Sequence, residues 1–413
     1  MGAFIRAFTS FRMFMVLVLG FASGLPLALT GSTLQAWMTV EGVDLKMIGL
    51  FGLVGLPYTV KFIWAPLLDR YVPAWRGRIL LGRRRGWILL SQLVLIGAFL
   101  TLGAADPAAE PGWVALIALV IAGASATQDI VIDAWRTEIL REDEFGAGAA
   151  VGVFGYRLGM LTSGALGLVL SEFVSWGAVY GIMALCLGAT SVALFVAPEP
   201  VLDHPPPRSI GAAVSGPLVE FFQRPGAVEI LLFIVLYKVG DVMAAALTTP
   251  FMLGLGFSRA EIGTVVKGLG LLATIVGGLV GGGLMAMLGL RRALLYFGVL
   301  QAVSTIMFAV LAEAGKNHLV MAAAIGIENL CGGFGTAALA AFLMSLCSRR
   351  FTATQYALLT SLAAVTRTVA GAPTGYLVDL FGWTQFFLLC TGLAVPGLLM
   401  ITLRFTAWER GSK

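Results

Sequence analysis

Apolar runs long enough to cross a lipid bilayer recur along almost the whole of this chain. A membrane-spanning helix needs roughly 20 mostly apolar residues. Runs of that kind fall at 12–38, 47–67, 87–105, 113–137, 149–171 and 177–197, and again at 227–255, 262–288, 293–312, 319–347, 356–379 and 385–404. A water-soluble globule carries roughly 25% charged residues, and this chain carries 12%. The expected fold class is therefore an all-α polytopic membrane protein with twelve spans. The 52 glycines fit it, because small residues let membrane helices approach closely. The first run follows a weakly basic start and leads into no small-residue cleavage site, so it reads as a retained helix. MGAFIR lacks the hydroxyl residue of a myristoylation signal.

Charge sets the orientation. The two termini and the loops between spans 2–3, 4–5, 6–7, 8–9 and 10–11 hold 18 of the 27 basic residues, and the opposite loops hold only Lys46, Arg259 and Lys316. Cytoplasmic loops of membrane proteins carry the excess of Lys and Arg. Both termini and the Arg-rich loop after span 2 are thus expected in the cytoplasm. The basic pI reports topology, and a nucleic-acid partner is not expected.

The chain divides in two. Residues 198–226, containing PEPVLDHPPPR, form the longest polar connection, and clustered prolines favour an extended linker. The expected parts are an N-terminal six-helix bundle (1–197), a cytoplasmic linker (198–226) and a C-terminal six-helix bundle (227–413). The halves echo one another: APLLDRYVP…GRRRG after span 2 answers GGGLMAMLGLRRA after span 8, and LSEFVSW answers LVDLFGW. Duplicated transporters show such weak internal similarity and place their site between the halves.

The informative residues are the charges that interrupt the apolar spans. Asp129, Asp133 and Arg136 share one face of span 4, and span 5 adds Arg157. Lys61 lies in span 2, Lys238 and Asp241 in span 7, Lys267 in span 8, Glu328 beside Asn329 in span 10, and Arg367 in span 11. Ionisable groups are expensive in lipid and usually face the bundle interior or a wet cavity. The deeper positions count five bases (Lys61, Arg157, Lys238, Lys267, Arg367) against four acids (Asp129, Asp133, Asp241, Glu328). One slightly positive cavity for an anionic solute is expected, with structural pairing the alternative for Lys238–Asp241 and for Arg136. Gln35, Gln128, Asn329, Thr30, Ser32 and Thr33 add donors and acceptors or serve helix packing. Gly24, Pro26 and Gly31 suggest a bend in span 1, and GGLVGGG at Gly277–Gly283 suggests close packing.

Enzyme readings find little support. His204 and His318 both fall in loops, no GxSxG or Walker motif occurs, and Cys186, Cys331, Cys347 and Cys390 lie in apolar runs without CxxC spacing. No cofactor or metal is expected. Energy should come from an ion gradient, and titratable carboxylates facing a cavity favour protons. Asp129 is the first choice of carrier, with Glu328 and Asp241 next.

The segment GFASGLPLALTGSTLQAWMTVEGVDLKMIGLFGLVGLPYTVKFIWAPLLDRYVP resembles the AmpG muropeptide permeases of Gram-negative bacteria, within the major facilitator superfamily. So do GRRRGW, ATQDIVIDAWRTEIL, GAGAAVGVFGYRLGMLTSG, VLYKVGDVM, KGLGLLATIVGG, ENLCGGFGT and ATQYALL, and the resemblance as a whole covers essentially all twelve spans. The resemblance implies a monomeric inner-membrane importer of GlcNAc-1,6-anhydroMurNAc peptides, driven by the proton gradient and serving peptidoglycan recycling and β-lactamase induction. It carries substrate-binding roles onto Gln35, Gln128, Asp129, Asp133, Arg157, Lys238, Asp241, Lys267, Glu328 and Asn329; Arg367 joins them by its symmetry with Arg157. Asp69, Arg70, Arg83 and Arg84 form the superfamily's loop 2–3 element, which implies a conformational role that stabilises an outward-open state. Some members of the family carry about two further C-terminal helices, and the chain ending at Lys413 suggests that these are no part of the core mechanism. Other readings are a same-fold importer of a siderophore or acyl-CoA, and a membrane sensor that binds muropeptide without moving it.

Overall fold

The computed structural model describes residues 10–75, 78–79, 81–201, 209–371 and 373–412. Lipid offers no partner to a backbone amide, so a spanning segment must satisfy its own polar groups, and the helix does so. Among the described residues, ten helices are long and apolar enough to cross a membrane: Phe11–Val40, Arg83–Gly103, Pro111–Ile139, Glu142–Leu170, Trp176–Ala193, Ala227–Gly254, Gly263–Leu288, Leu290–Ala314, His318–Ser345 and Trp383–Phe405. They correspond to spans 1, 3–10 and 12.

Spans 2 and 11 are broken. Span 2 runs through Leu45–Leu50, a 3-10 turn at Phe51–Gly55, Leu56–Val60, a second 3-10 turn at Lys61–Ile63, and Ala65–Arg70. Pro57 and Pro66 sit in the first turns of the two later α-helical pieces, where a missing N–H is tolerated. Span 11 comprises Thr352–Gly371 and Thr374–Phe381, parted near Pro373. Both passages still join opposite ends of the bundle. Span 1 bends at Gly31, which separates Phe11–Thr30 from Ser32–Val40. Spans 5 and 8 contain π-helical stretches, Thr162–Leu166 and Gly263–Gly270. The one non-helical pairing among the described residues is a two-residue antiparallel ladder in loop 2–3, Ala74–Trp75 with Arg78–Ile79.

Contacts sort the loops into two ends. At one, hereafter the basic end, Arg12 meets Glu144 at 3.5 Å, Glu199 accepts from the Arg84 and Arg85 amides, and Asp69 meets Ala353 and Thr354. At the far end Trp37 stacks on Trp176, Trp383 packs on Phe251, and Thr384 donates to Glu313. Trp176 and Trp383 open spans 6 and 12, so the tryptophans of the repeated LSEFVSW and LVDLFGW occupy matching places.

The apolar core shows how the halves are joined. One cluster at the basic end mixes both halves, bringing Met13, Ala65, Trp135 and Ala147 together with Phe233, Phe342, Ala353 and Trp408. Toward the far end there are two separate cores. One holds Leu25 to Leu187 of the first half, the other Met243 to Cys390 of the second. The halves are fused at the basic end and independent at the far end.

The connection between them differs from the expected extended linker. Residues 202–208, with most of the proline cluster, lie outside the described residues. Beyond them Ile210–Phe222 is a helix, capped by the Ser209 hydroxyl accepting from the Ala212 amide at 3.0 Å. The proline cluster ends before SIGAAVSGPLVEFF begins, and that stretch is apolar enough to pack. Its Pro217 carbonyl accepts from Gln355 of span 11 at 3.2 Å, so the linker helix lies on the seam between the halves.

Candidate functional site

At the basic end the element read from APLLDR…GRRRG is a buried charge network. Asp69 ends span 2 and is fully buried. Its Oδ1 accepts from Arg84 Nη2 at 2.8 Å and from the Ala353 amide at 3.2 Å; its Oδ2 accepts from the Thr354 amide at 2.8 Å and the Thr354 hydroxyl at 2.7 Å. A carboxylate of the first half thus caps the span-11 helix of the second, where free N–H groups and the helix dipole attract an anion. Arg84 also binds Glu138 at 2.5 Å, and Arg83 binds Glu138 at 3.0 Å and the Asp69 carbonyl at 3.2 Å. Glu199 accepts from the Arg84 and Arg85 amides at 2.7 and 3.0 Å, capping span 3. Arg70 places its guanidinium 5.2 Å from the centroid of the Tyr71 ring.

Deeper in the first half, span 4 presents Asp129 to span 1, where it accepts a hydrogen bond from Ser23. Lys61 of span 2 lies within electrostatic reach of Asp129, as does Tyr58, whose ring carries its hydroxyl beside Ser125. One turn on, Asp133 pairs with Arg136 at 2.7 Å. The same Arg136 Nη2 lies 3.1 Å from the Tyr356 hydroxyl, and its guanidinium is 5.9 Å from the Tyr356 ring. This contact links span 4 to span 11 across the two halves.

The second half holds a matching centre. Lys238 Nζ lies 3.2 Å from Asp241 and 3.3 Å from the Thr336 hydroxyl. The carboxyl groups of Asp241 and Glu328 stand within hydrogen-bonding reach of each other. Asn329 donates to Glu328 at 3.0 Å and accepts from Thr274 of span 8 at 2.9 Å. Beside Lys238 and Asp241 opens a cavity of about 490 Å³, whose wall includes Thr336, Tyr356 and Thr360. Tyr356 therefore faces both the cavity and Arg136.

The charges form two paired centres, one in each half, joined through Tyr356, which meets Arg136 and lines the cavity beside Lys238 and Asp241. The acids and bases of each half pair first within that half, because lipid-depth charges need partners closer than a cavity wall. Gln128 belongs to neither centre: it is buried and donates to the Ala22 carbonyl at 2.9 Å, clasping spans 1 and 4. Gln35 is exposed toward the far end of span 1. Thr33 donates to the Ser163 carbonyl at 2.9 Å, a packing role. Arg157 is half-buried on span 5. The side chains of Lys267 and Arg367 lie outside the described residues. Sequence reading missed Ser23, Tyr58, Tyr356, Thr336, Glu138 and Glu199. None breaks an apolar run as a charge does, and the two glutamates sit at span ends where charge is ordinary.

A bundle of two helical halves joined at one end, with buried charge centres flanking their junction, is the architecture of a membrane transporter. The Major Facilitator Superfamily model matches residues 7–372. Among solved structures, FucP in the outward conformation superimposes with a TM-score of 0.69 at 10% identity, over 96% of this chain and 99% of that one. The human organic anion transporter MFSD10 does so with a TM-score of 0.67 at 17% identity, over 94% and 98%. This chain is also 50% identical over 410 residues to the anhydromuropeptide permease of Escherichia coli K12, covering 98% of this chain and 82% of that protein. The chain belongs to the Major Facilitator Superfamily and, within it, to the family of that permease. It is a multi-pass membrane protein whose relatives are named as permeases.

Proposed function

We propose that this protein imports GlcNAc-1,6-anhydroMurNAc peptides across the inner membrane, coupled to protons, by alternating access of its two halves. The basic end is cytoplasmic under this reading, following the excess of Lys and Arg there. The far end, where the halves have separate cores, then opens to the periplasm. The observation that carries the cargo is the 50% identity to a named anhydromuropeptide permease. Such cargo bears carboxylates and sugar hydroxyls, and the cavity offers it the Lys238 ammonium with the Thr336, Thr360 and Tyr356 hydroxyls. Asp129, Asp241 and Glu328 are the carboxylates available to load a proton from the open face and release it after the switch. The reading treats the chain as a monomer.

The test is uptake of labelled anhydromuropeptide into right-side-out membrane vesicles, with and without a protonophore. Accumulation abolished by the protonophore supports the proposal. Accumulation that ignores it refutes proton coupling, and binding without accumulation turns the protein into a sensor. Stronger uptake of a siderophore or an acyl-CoA moves the cargo assignment within the fold.

A further inference from the structure

The centre in the second half has one more member. Gln301 lies on span 9 in the run LLYFGVLQAV and is 4% exposed. Its amide points at the Asp241 carboxyl without closing a full hydrogen bond, and neither of its side-chain polar atoms has another partner among the described residues. Gly335 of span 10 makes room for it, since a methyl group there would strike Gln301 Oε1, with Lys238 Nζ at contact distance beside it. A buried amide left unpaired is destabilising, so a residue kept this way calls for an explanation.

Its counterpart in the first half shows the contrast. Gln92 on span 3 stands nine residues after Arg83, as Gln301 stands nine after Arg292. Gln92 is satisfied, donating to Thr190 at 3.3 Å and accepting from Ser191 at 2.7 Å. Gln301 instead meets a group whose hydrogen-bonding character changes. Two carboxyls in contact cannot both be ionised, so the Asp241–Glu328 pair holds a proton in one state and sheds it in another. A glutamine amide offers a donor to a carboxylate and an acceptor to a carboxylic acid or an ammonium. It fits either state by turning over.

We propose that Gln301 is a positioning residue for the Asp241–Glu328 pair, its amide donating to the carboxylate when the proton leaves and accepting when the proton is held. The inference rests on the proton-coupled reading above. Among the described residues, the other titratable groups facing the pair or the cavity beside it are Lys238 and Tyr237 on span 7, Cys331 on span 10 and Tyr356 on span 11. Among the described side chains, spans 8 and 9 contribute the neutral Thr274, Ser304 and Gln301.

The test compares wild type with Gln301→Leu and Gln301→Asn in proteoliposomes, using a labelled anhydromuropeptide. Exchange without a gradient is measured beside gradient-driven uptake from pH 5.5 to 8. Gln301→Leu is expected to keep exchange within about twofold, since no protein contact of full geometry is lost. Its uptake midpoint should move toward higher pH by about one unit, and its accumulation should fall about tenfold, because the bond donated to a charged carboxylate is stronger than the one accepted from the neutral acid, so its loss costs the charged pair more. Gln301→Asn should recover part of the shift. An unmoved midpoint with wild-type accumulation overturns the inference, as does parallel loss of exchange and accumulation with the midpoint unchanged. Should the leucine variant fail to reach the membrane, Gln301→Met, of matched length, carries the same measurement. A wild type indifferent to a protonophore refutes the proton reading itself, a result separate from any behaviour of the variants.

Discussion

Spans 5 and 11 are pseudo-equivalent helices, and each brings its N-terminus to the junction of the halves at the basic end. Span 11 receives its capping anion from the other half, as Asp69 accepts from the Ala353 and Thr354 amides. Span 5 is preceded by its own acidic turn, Glu142–Glu144, in which Glu144 accepts from the Arg141 amide at 3.0 Å. The seams differ accordingly. Between spans 5 and 8 the contact is close packing, where a methyl on Gly282 would meet the Gly146 carbonyl and Ala150 at 2.6 Å. GGGLMAMLGLRRA keeps arginines but has no carboxylate among its residues, and Arg291 donates to the Thr402 carbonyl at 3.1 Å. One seam is thus a charged bond between halves, which the proposed alternating access would have to break. The other is a tight apolar contact, which it would keep.

The largest effect expected from breaking this contrast is at Asp69. Asp69→Ala takes one of its two carboxylates from the buried Arg84, which keeps Glu138, and uncaps span 11, removing about 2 to 4 kcal/mol from the basic end. Thermal unfolding of the purified protein and loss of accumulation read it. Gly282→Val tests the other seam by overpacking, with an expected cost of about 1 to 3 kcal/mol, and its effect should persist in a background that already carries Asp69→Ala. Thr354→Val removes one hydroxyl bond to Asp69 and leaves both amide bonds, so about 1 kcal/mol is expected in the same unfolding measurement.

The transport centres give a comparison of the same kind. Asp129→Asn should abolish accumulation while the protein remains folded in the membrane; accumulation at the wild-type level by that variant would remove Asp129 from proton carriage. The smallest effect belongs to Glu261, outside the spans in loop 7–8. His318 at 2.6 Å, then the Ser258 amide and hydroxyl, hold its carboxyl down to about 2 from the ordinary 4.5. A depressed carboxylate keeps its contribution above the ordinary value and loses it only as pH falls through the lowered one. Glu261 therefore stays ionised from pH 5 to 8, and Glu261→Gln should leave the midpoint of uptake against pH unmoved. A shifted midpoint would place proton coupling partly in that loop.

Much of this arrangement was legible in the chain. The apolar runs and the alternating basic loops yielded ten of the spans and the sharing of one end by both termini. Asp69, Arg83 and Arg84 were readable because a charge at a span end beside the GRRRG motif stands out. Broken span 2 was harder to read: mean hydropathy does not see prolines at 57 and 66 turning a helix into short pieces. The linker helix was hidden because its Ser209 cap follows directly on the prolines that suggested extension. Pairing was the least visible level. Which half an acid answers to depends on helix rotation and on small residues such as Gly335, and composition carries no trace of either. Gln301 showed only as one polar letter in span 9.

The asymmetry of the seams is tested most directly by spin-label distances across each. Labels at Tyr71 and Arg350 straddle spans 2 and 11, and labels at Glu142 and Arg291 straddle spans 5 and 8; all four sites are exposed. When Asp69→Asn is introduced, the first distance distribution should broaden and lengthen, while the second keeps its maximum. Equal lengthening of both, or lengthening of the second alone, would contradict a basic end locked through Asp69.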